Sequence, residues 1–340
     1  MPVLEQAADW QLAHPAPRWK PDGWHYATFY AGVMALVEIS AEPRFPAALL
    51  AMGEGNGWQP GARRYHADDH AVGQTYADLF AREHAPAMIA PLRARFDDIL
   101  AHPKDDNLLF DPERNPDGLD RWSWCDALFM APPAWVKLSQ VTGEARYREF
   151  AIRQWWVTSD FLYDPAERLY FRDSRFFSRR EKNGAKVFWA RANGWVLGGL
   201  VRMLAALPPA HPARPRFVAQ FRAMAGRIAE LQSADGFWRS SLLDPAAFPE
   251  PESSGTGFFC YALACGLNEG LLDRAEFTPV VARAWAALLS CVKPDGQLTR
   301  VQPVGSMPEQ FDPDATEPFG VGAFLLAGCQ IHRLAARSAP

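Results

Sequence analysis

The chain has 340 residues, 49% of them apolar and 22% charged, with 29 prolines, 24 glycines and 13 tryptophans, which excludes a disordered or collagen-like chain and leaves enough apolar material for a large core. Its 35 basic and 39 acidic residues give a formal charge of −4, so no global cationic field draws it to nucleic acid or to an anionic membrane surface. Neither partner is expected.

In chain order, the segment from Met1 to Lys20 has no basic patch followed by an apolar run of signal-peptide length. No run reaches the roughly 18 uncharged apolar residues of a membrane span. Cys125, Cys260, Cys265, Cys291 and Cys329 are odd in number, mostly in apolar surroundings and without a C-x-x-C pair, which reads as buried thiols in a reducing compartment. The expected location is cytoplasmic.

Six segments are apolar nearly all round: 27–39, 70–80, 126–141, 194–207, 257–272 and 319–334. Several are rich in Gly and Ala, the composition of helices buried on every side and packed close. Pro132 and Pro133 are expected to kink the third. Between them lie stretches with one apolar stripe at helical spacing. The clearest is 213–232, with Phe217, Phe221, Met224, Ala225, Ile228 and Leu231, followed by 277–292, 147–162 and the weaker 86–101. D-G turns in 233–245 and 293–304 are expected to form small hairpins.

The repeating unit is therefore a helical hairpin, and six of them are satisfied most simply by a closed ring whose inner helices are shielded by the outer ones. The expected fold is all-α, an (α/α)6 barrel or six-hairpin toroid, forming one domain over 1–340 with its core at about 23–334.

A polar and aromatic cluster precedes each inner helix, with Thr28, Asp69, Asp126, Arg191, Ser254 and Glu317 as anchors. If the inner helices run the same way, these clusters converge on one mouth of the ring. Trp24, Tyr30, Trp122, Trp124, Trp189 and Trp195 offer flat faces, and Asp, Arg, Asn, Ser and Glu offer fixed hydrogen-bond partners, the mixture that suits a sugar. Asp126 reads either as a helix cap or as a carboxylic acid in a partly apolar pocket. Asp69 and Asp68 precede the neighbouring helix, near enough in a ring to raise the pKa of one carboxyl. His70 reads either as a pocket residue or as a core residue. His66, Asp68, Asp69 and His70 have metal-ligand types but lack partners elsewhere, so no metal and no cofactor are expected.

The motifs WCDALFMAPP, FWARANGWV, ESSGTGFFCYAL and TEPFGVGAFLLAG occur in order between about Gly23 and Leu334. With them the chain resembles the unsaturated rhamnogalacturonyl hydrolases of glycoside hydrolase family 105. The resemblance implies the same (α/α)6 fold and removal of a 4,5-unsaturated uronyl unit, galacturonyl in the first instance, from the non-reducing end of lyase-generated oligosaccharides. It also implies vinyl-ether hydration, in which an acid protonates C4, water adds at C5 and the hemiketal opens with loss of the aglycone. Asp126 matches the family's general acid/base, and Asp69 matches a second pocket aspartate. Substrate contacts are expected from Trp24, Tyr30, His70, Trp122, Trp124, Lys186, Trp189, Arg191, Asn193, Ser254 and Glu317. Some members carry His just before F-W-x-R where this chain has Val187 after Lys186. Lys186 and Arg191 are the two candidates for the uronate carboxylate. The competing readings are another (α/α)6 sugar enzyme, such as an epimerase with catalytic His residues, and a non-catalytic sugar-binding toroid.

Overall fold

A computed structural model describes residues 1–111 and 113–338. The chain opens with outer helix α1 (Pro2–Ala13) and then alternates. Inner α2 (Trp24–Val37) is followed by outer α3 (Arg44–Gly55), and inner α4 (Gly73–Glu83) by outer α5 (Ala90–Ala101). The third inner segment is broken into α6 (Ala127–Met130) and α7 (Pro132–Thr142) at Pro132, as its prolines require, and outer α8 (Ala145–Leu162) covers it. Inner α9 (Ala190–Ala206) with outer α10 (Arg214–Glu230), inner α11 (Ser253–Asn268) with outer α12 (Arg274–Leu289), and inner α13 (Pro318–Ser338) complete the chain.

The inner helices close on themselves. α2 packs on α4, α4 on α7, α6 and α7 on α9, α9 on α11, α11 on α13, and α13 back on α2. This is the (α/α)6 toroid. Residues around the inner helices are buried on every side; in α9, 15 positions from Ala190 to Ala206 are buried. The outer helices bury one stripe, as α10 does with Phe217, Phe221, Met224, Ala225 and Ile228. The sixth outer helix is α1, which packs on α13 and α2. The expected core boundary near residue 23 left this helix out. Its buried face is only Leu4, Ala7, Ala8 and Gln11, too small a stripe to stand out in the sequence.

The seam between α2 and α13 is made by glycine. A Cβ on Gly32 would lie 2.7 Å from the Gly322 carbonyl oxygen, and one on Gly322 would lie 2.3 Å from the Thr28 carbonyl oxygen. The two backbones touch, which only hydrogen side chains permit. α13 is long and apolar enough to cross a bilayer, but its apolar surface is spent inside the ring.

The D-G segments form tight turns, with Gly236 at φ +88° and Gly296 at φ +99°. The first closes only at its tip, where the Ser233 amide donates to the Phe237 carbonyl at 3.0 Å. Beyond it Trp238–Arg239 pairs antiparallel with Pro251–Glu252, which feeds the chain into α11.

Candidate active site

The inner helices run parallel, so their N-terminal ends share one mouth. A cavity of about 170 Å³ there is lined by Trp24, Asp68, Trp124, Asp126, Met130, Arg172, Trp189, Arg191, Trp195, Val304 and Gly305. A larger cavity of about 430 Å³ lies at the opposite mouth, among the C-terminal ends of the inner helices. Its carboxylates Glu38 and Asp78 are paired with Arg82 and Lys137, and its cations suit the negative ends of helix dipoles. Glu269 lines it as well. The smaller cavity is the one with a buried carboxyl, Asp126, one of whose oxygens accepts no hydrogen bond among the described residues.

Asp126 directly precedes α6, but its side chain makes no capping hydrogen bond, which removes the helix-cap reading. The segment before it is pinned from several sides. Trp122 is held at φ +56° and donates from Nε1 to the Tyr65 carbonyl at 2.9 Å, and Thr158 Oγ1 donates to the Trp122 carbonyl. The Cys125 amide donates to the Arg172 carbonyl at 2.8 Å, and Trp124 pairs with Asp173. These contacts set the Asp126 carboxyl beside the Arg172 guanidinium, with Oδ2 at 3.5 Å from Nε. Oδ1 is buried and accepts no hydrogen bond among the described residues. Burial raises the Asp126 carboxyl to about 6, against the pull of Arg172 and Arg191.

Asp68 faces Asp126 from the turn that leads into α4. Burial pushes it up to about 7, with Arg63 opposing and the Asp126 and Asp69 carboxylates adding to the rise. Asp69 lies apart from the cavity. Its Oδ2 accepts from the Arg63 amide at 2.6 Å and its Oδ1 from Arg63 Nη2 at 2.6 Å. Burial works to raise Asp69, but these bonds hold it below the usual carboxylate range. The second carboxyl of the cavity is therefore Asp68, not the Asp69 expected from the sequence. The two are adjacent, and only the turn at 67–70 decides which one points inward.

Of the expected sugar contacts, Trp24, Trp124, Trp189 and Arg191 line the cavity. The rest are used by the scaffold. Tyr30 lies deeper in α2 against Tyr26 and Phe29. His70 is fully buried, bonded to the Arg64 carbonyl at 3.0 Å and to Trp135 Nε1 at 3.3 Å, and burial lowers it to about 4, so it is a neutral core residue. Trp122 packs on His70 and Phe150. Lys186 pairs with Asp164 outside the cavity. Asn193 holds the backbone of Tyr170 at both its amide and its carbonyl. Ser254 is bound by Glu252, whose carboxylate caps α11 through the amides of Ser254 and Gly255. Glu317 receives Arg18 and Trp19 Nε1, each at 2.8 Å.

Sequence reasoning missed Arg172. It lies in a short irregular segment, and no local periodicity places it near Asp126. Among the described residues no group of three or more His, Cys, Asp or Glu gathers as a metal site. Of the four metal-type residues in the 66–70 segment, His70 and Asp69 point to other partners.

The profile of Glycosyl Hydrolase Family 88 matches residues 3–335. The chain belongs to this family. The resemblance read from the sequence, to unsaturated uronyl hydrolases of family 105, agrees with this profile, with the names of the curated relatives and with the family 105 structures among the structural neighbours. An unsaturated 3S-rhamnoglycuronyl hydrolase from Formosa agariphila is 38% identical over 97% of this chain and 89% of its own length. A glycosyl hydrolase family 88 structure from Bacteroides vulgatus superposes with a TM-score of 0.89 at 28% identity, covering 97% of each chain. One solved structure that bears the name polysaccharide lyase gives a TM-score of 0.88 at 31% identity, covering 99% of this chain and 98% of its own. The family-88 chain is thus a glycoside hydrolase by sequence, and its cavity holds a buried carboxyl of raised proton affinity, a second carboxyl and flat aromatic walls.

Proposed function

We propose that the chain removes a 4,5-unsaturated uronyl residue from the non-reducing end of lyase-generated, rhamnose-containing oligosaccharides by hydrating the vinyl ether. The observation that carries this reading is the Asp126 carboxyl, buried, unpaired at Oδ1 and raised to about 6 in a tryptophan-walled cavity. A carboxyl so placed still carries its proton in mildly acidic solution, where an ordinary aspartate has lost it, and can deliver it.

In this reading Asp126 gives its proton to C4, and the positive charge develops at C5 and the ring oxygen. Water bonds to C5 and loses a proton to the carboxylate pair formed by Asp126 and Asp68. The hemiketal at C5 then releases the ring oxygen, and the hemiacetal left at C1 lets the aglycone go. Rhamnose in the substrate is supported by the name of the Formosa relative. Galacturonyl and glucuronyl forms are separate arms of the test.

The lyase name of one structural neighbour favours a second reading, β-elimination on an intact polysaccharide. One assay separates them, because hydration destroys the vinyl-ether absorbance and elimination creates it. The expected result is a fall in absorbance on lyase-generated oligosaccharides of both uronyl types and no rise on intact polymer. A rise on intact polymer establishes the lyase instead.

A further inference from the structure

The cavity holds two guanidinium groups, and their hydrogen bonds divide the work between them. Arg191 donates from Nη1 to the Gln302 carbonyl and Ser254 Oγ, and from Nη2 to the Pro303 carbonyl at 2.8 Å. Its guanidinium also lies over the rings of Trp189 and Phe319, at 4.4 and 4.8 Å. Arg191 is thereby committed to holding the 302–305 loop, which forms the cavity wall at Val304 and Gly305. Lys186 is paired with Asp164 and does not line the cavity.

Arg172 donates a hydrogen bond from one nitrogen only among the described residues, while its guanidinium lies 5.3 Å from the centre of the Phe110 ring. Its Nη1 donates at 2.7 Å to Asp173 Oδ2, and Asp173 is itself fully buried and held by Arg175 through Nε and Nη2, each at 2.8 Å. Arg172 Nε is buried without a hydrogen-bond partner among the described residues, 3.5 Å from Asp126 Oδ2. No described residue takes a hydrogen bond from Nη2, and the side chain lines the cavity. A planar donor fork fixed at one corner and open along an edge matches a carboxylate.

We propose that Arg172 receives the uronate carboxylate edge-on and is the residue by which the cavity selects an acidic sugar over a neutral one. The proposal rests on the hydration reading and adds the specificity determinant to it. The substrate carboxyl carbon is bonded to C5, the neighbour of C4, so a carboxylate seated on Arg172 brings the carbon to be protonated alongside Asp126.

The test reads binding, without turnover. In an Asp126→Asn background, which keeps the sugar intact, quenching of tryptophan fluorescence gives Kd for an unsaturated uronide and for its methyl ester. With Arg172 present the acid is expected to bind roughly 10- to 100-fold tighter than the ester, the range of a charge-assisted pair of hydrogen bonds. Adding Arg172→Gln should collapse that ratio to within about twofold while ester affinity stays unchanged, which also shows an intact cavity. Arg172→Lys keeps the charge but not the fork and should give an intermediate ratio. Equal affinity for acid and ester with Arg172 present, or an undiminished ratio in either variant, overturns the assignment. A chain that prefers the acid yet leaves the vinyl-ether band untouched overturns the hydration reading alone.

Discussion

Asp68 and Asp69 are adjacent in the chain yet titrate in opposite directions. Asp68 is pushed up to about 7 by burial beside Asp126, and Asp69 is held below the usual range by Arg63. One peptide unit thus separates a carboxyl suited to exchanging protons from one that is purely an anchor.

The raised pair is expected to make the rate fall as pH increases. If Asp126 has to carry its proton into the complex, kcat/KM is expected to hold at low pH and to drop as pH rises through about 6 to 7, with apparent values that belong to the pair. Asp68→Asn removes a like charge and should move that limb to lower pH. A pH–rate profile flat from pH 5 to about 8 contradicts the acid role.

Asp126→Asn is expected to lower kcat by about 10²–10⁴-fold or more. The fold should not suffer, because the carboxyl caps nothing, and above pH 6 the wild type carries a buried charge that the amide lacks. The sign is fixed by the raised pKa: this carboxyl's contribution to stability is lost as pH rises through its folded value. Melting at pH 8 should therefore show a Tm equal to or above that of wild type. Retention of more than about a tenth of wild-type kcat would assign the proton to another group.

Asp69→Asn should behave in the opposite way. It is expected to cost about 1–3 kcal/mol at neutral pH through the lost charge-assisted bonds to Arg63, with kcat of the folded protein largely kept. Because the folded pKa is lowered, the stabilisation is present above the unfolded value and lost as pH falls through the folded one. Denaturation curves of the two proteins should converge on acidification. A variant of full stability but no turnover would restore Asp69 to the chemistry.

Gly322→Ala is expected to destabilise by about 1–3 kcal/mol or more, since the new methyl meets the Thr28 carbonyl at the α2–α13 seam. Thermal unfolding measures this directly. An unchanged Tm would mean that the seam is looser than the contact distance implies.

The ring was legible because its two helix types differ in composition along the whole chain. An inner helix such as 319–334 has no polar face, and an outer one such as 213–232 has a single stripe. Asp126 was legible because Trp122 and Trp124 stand just before it in the sequence, and Trp124 lines the cavity with it. The remaining site residues were harder to sort for one physical reason. Polar residues at helix starts are also what unsatisfied backbone donors require, as Glu252 shows by accepting from the Ser254 and Gly255 amides, and others tie side chains together, as Ser254 does with Glu252 and Glu317 with Arg18 and Trp19. Arg172 left no signal because the pairing of Trp124 with Asp173 that brings it in is a non-local contact.

The seam between α2 and α13 also sets an order in time. The second helix of the chain finds its neighbour on that side only in the last, while α1 and the Arg18–Trp19 segment wait for α13 and Glu317. During synthesis five hairpins can gather into an open arc, but its two apolar edges stay uncovered until residues beyond 318 leave the ribosome. Contacts of such high sequence separation form slowly, so the nascent arc is the stage at which chaperones have most to cover.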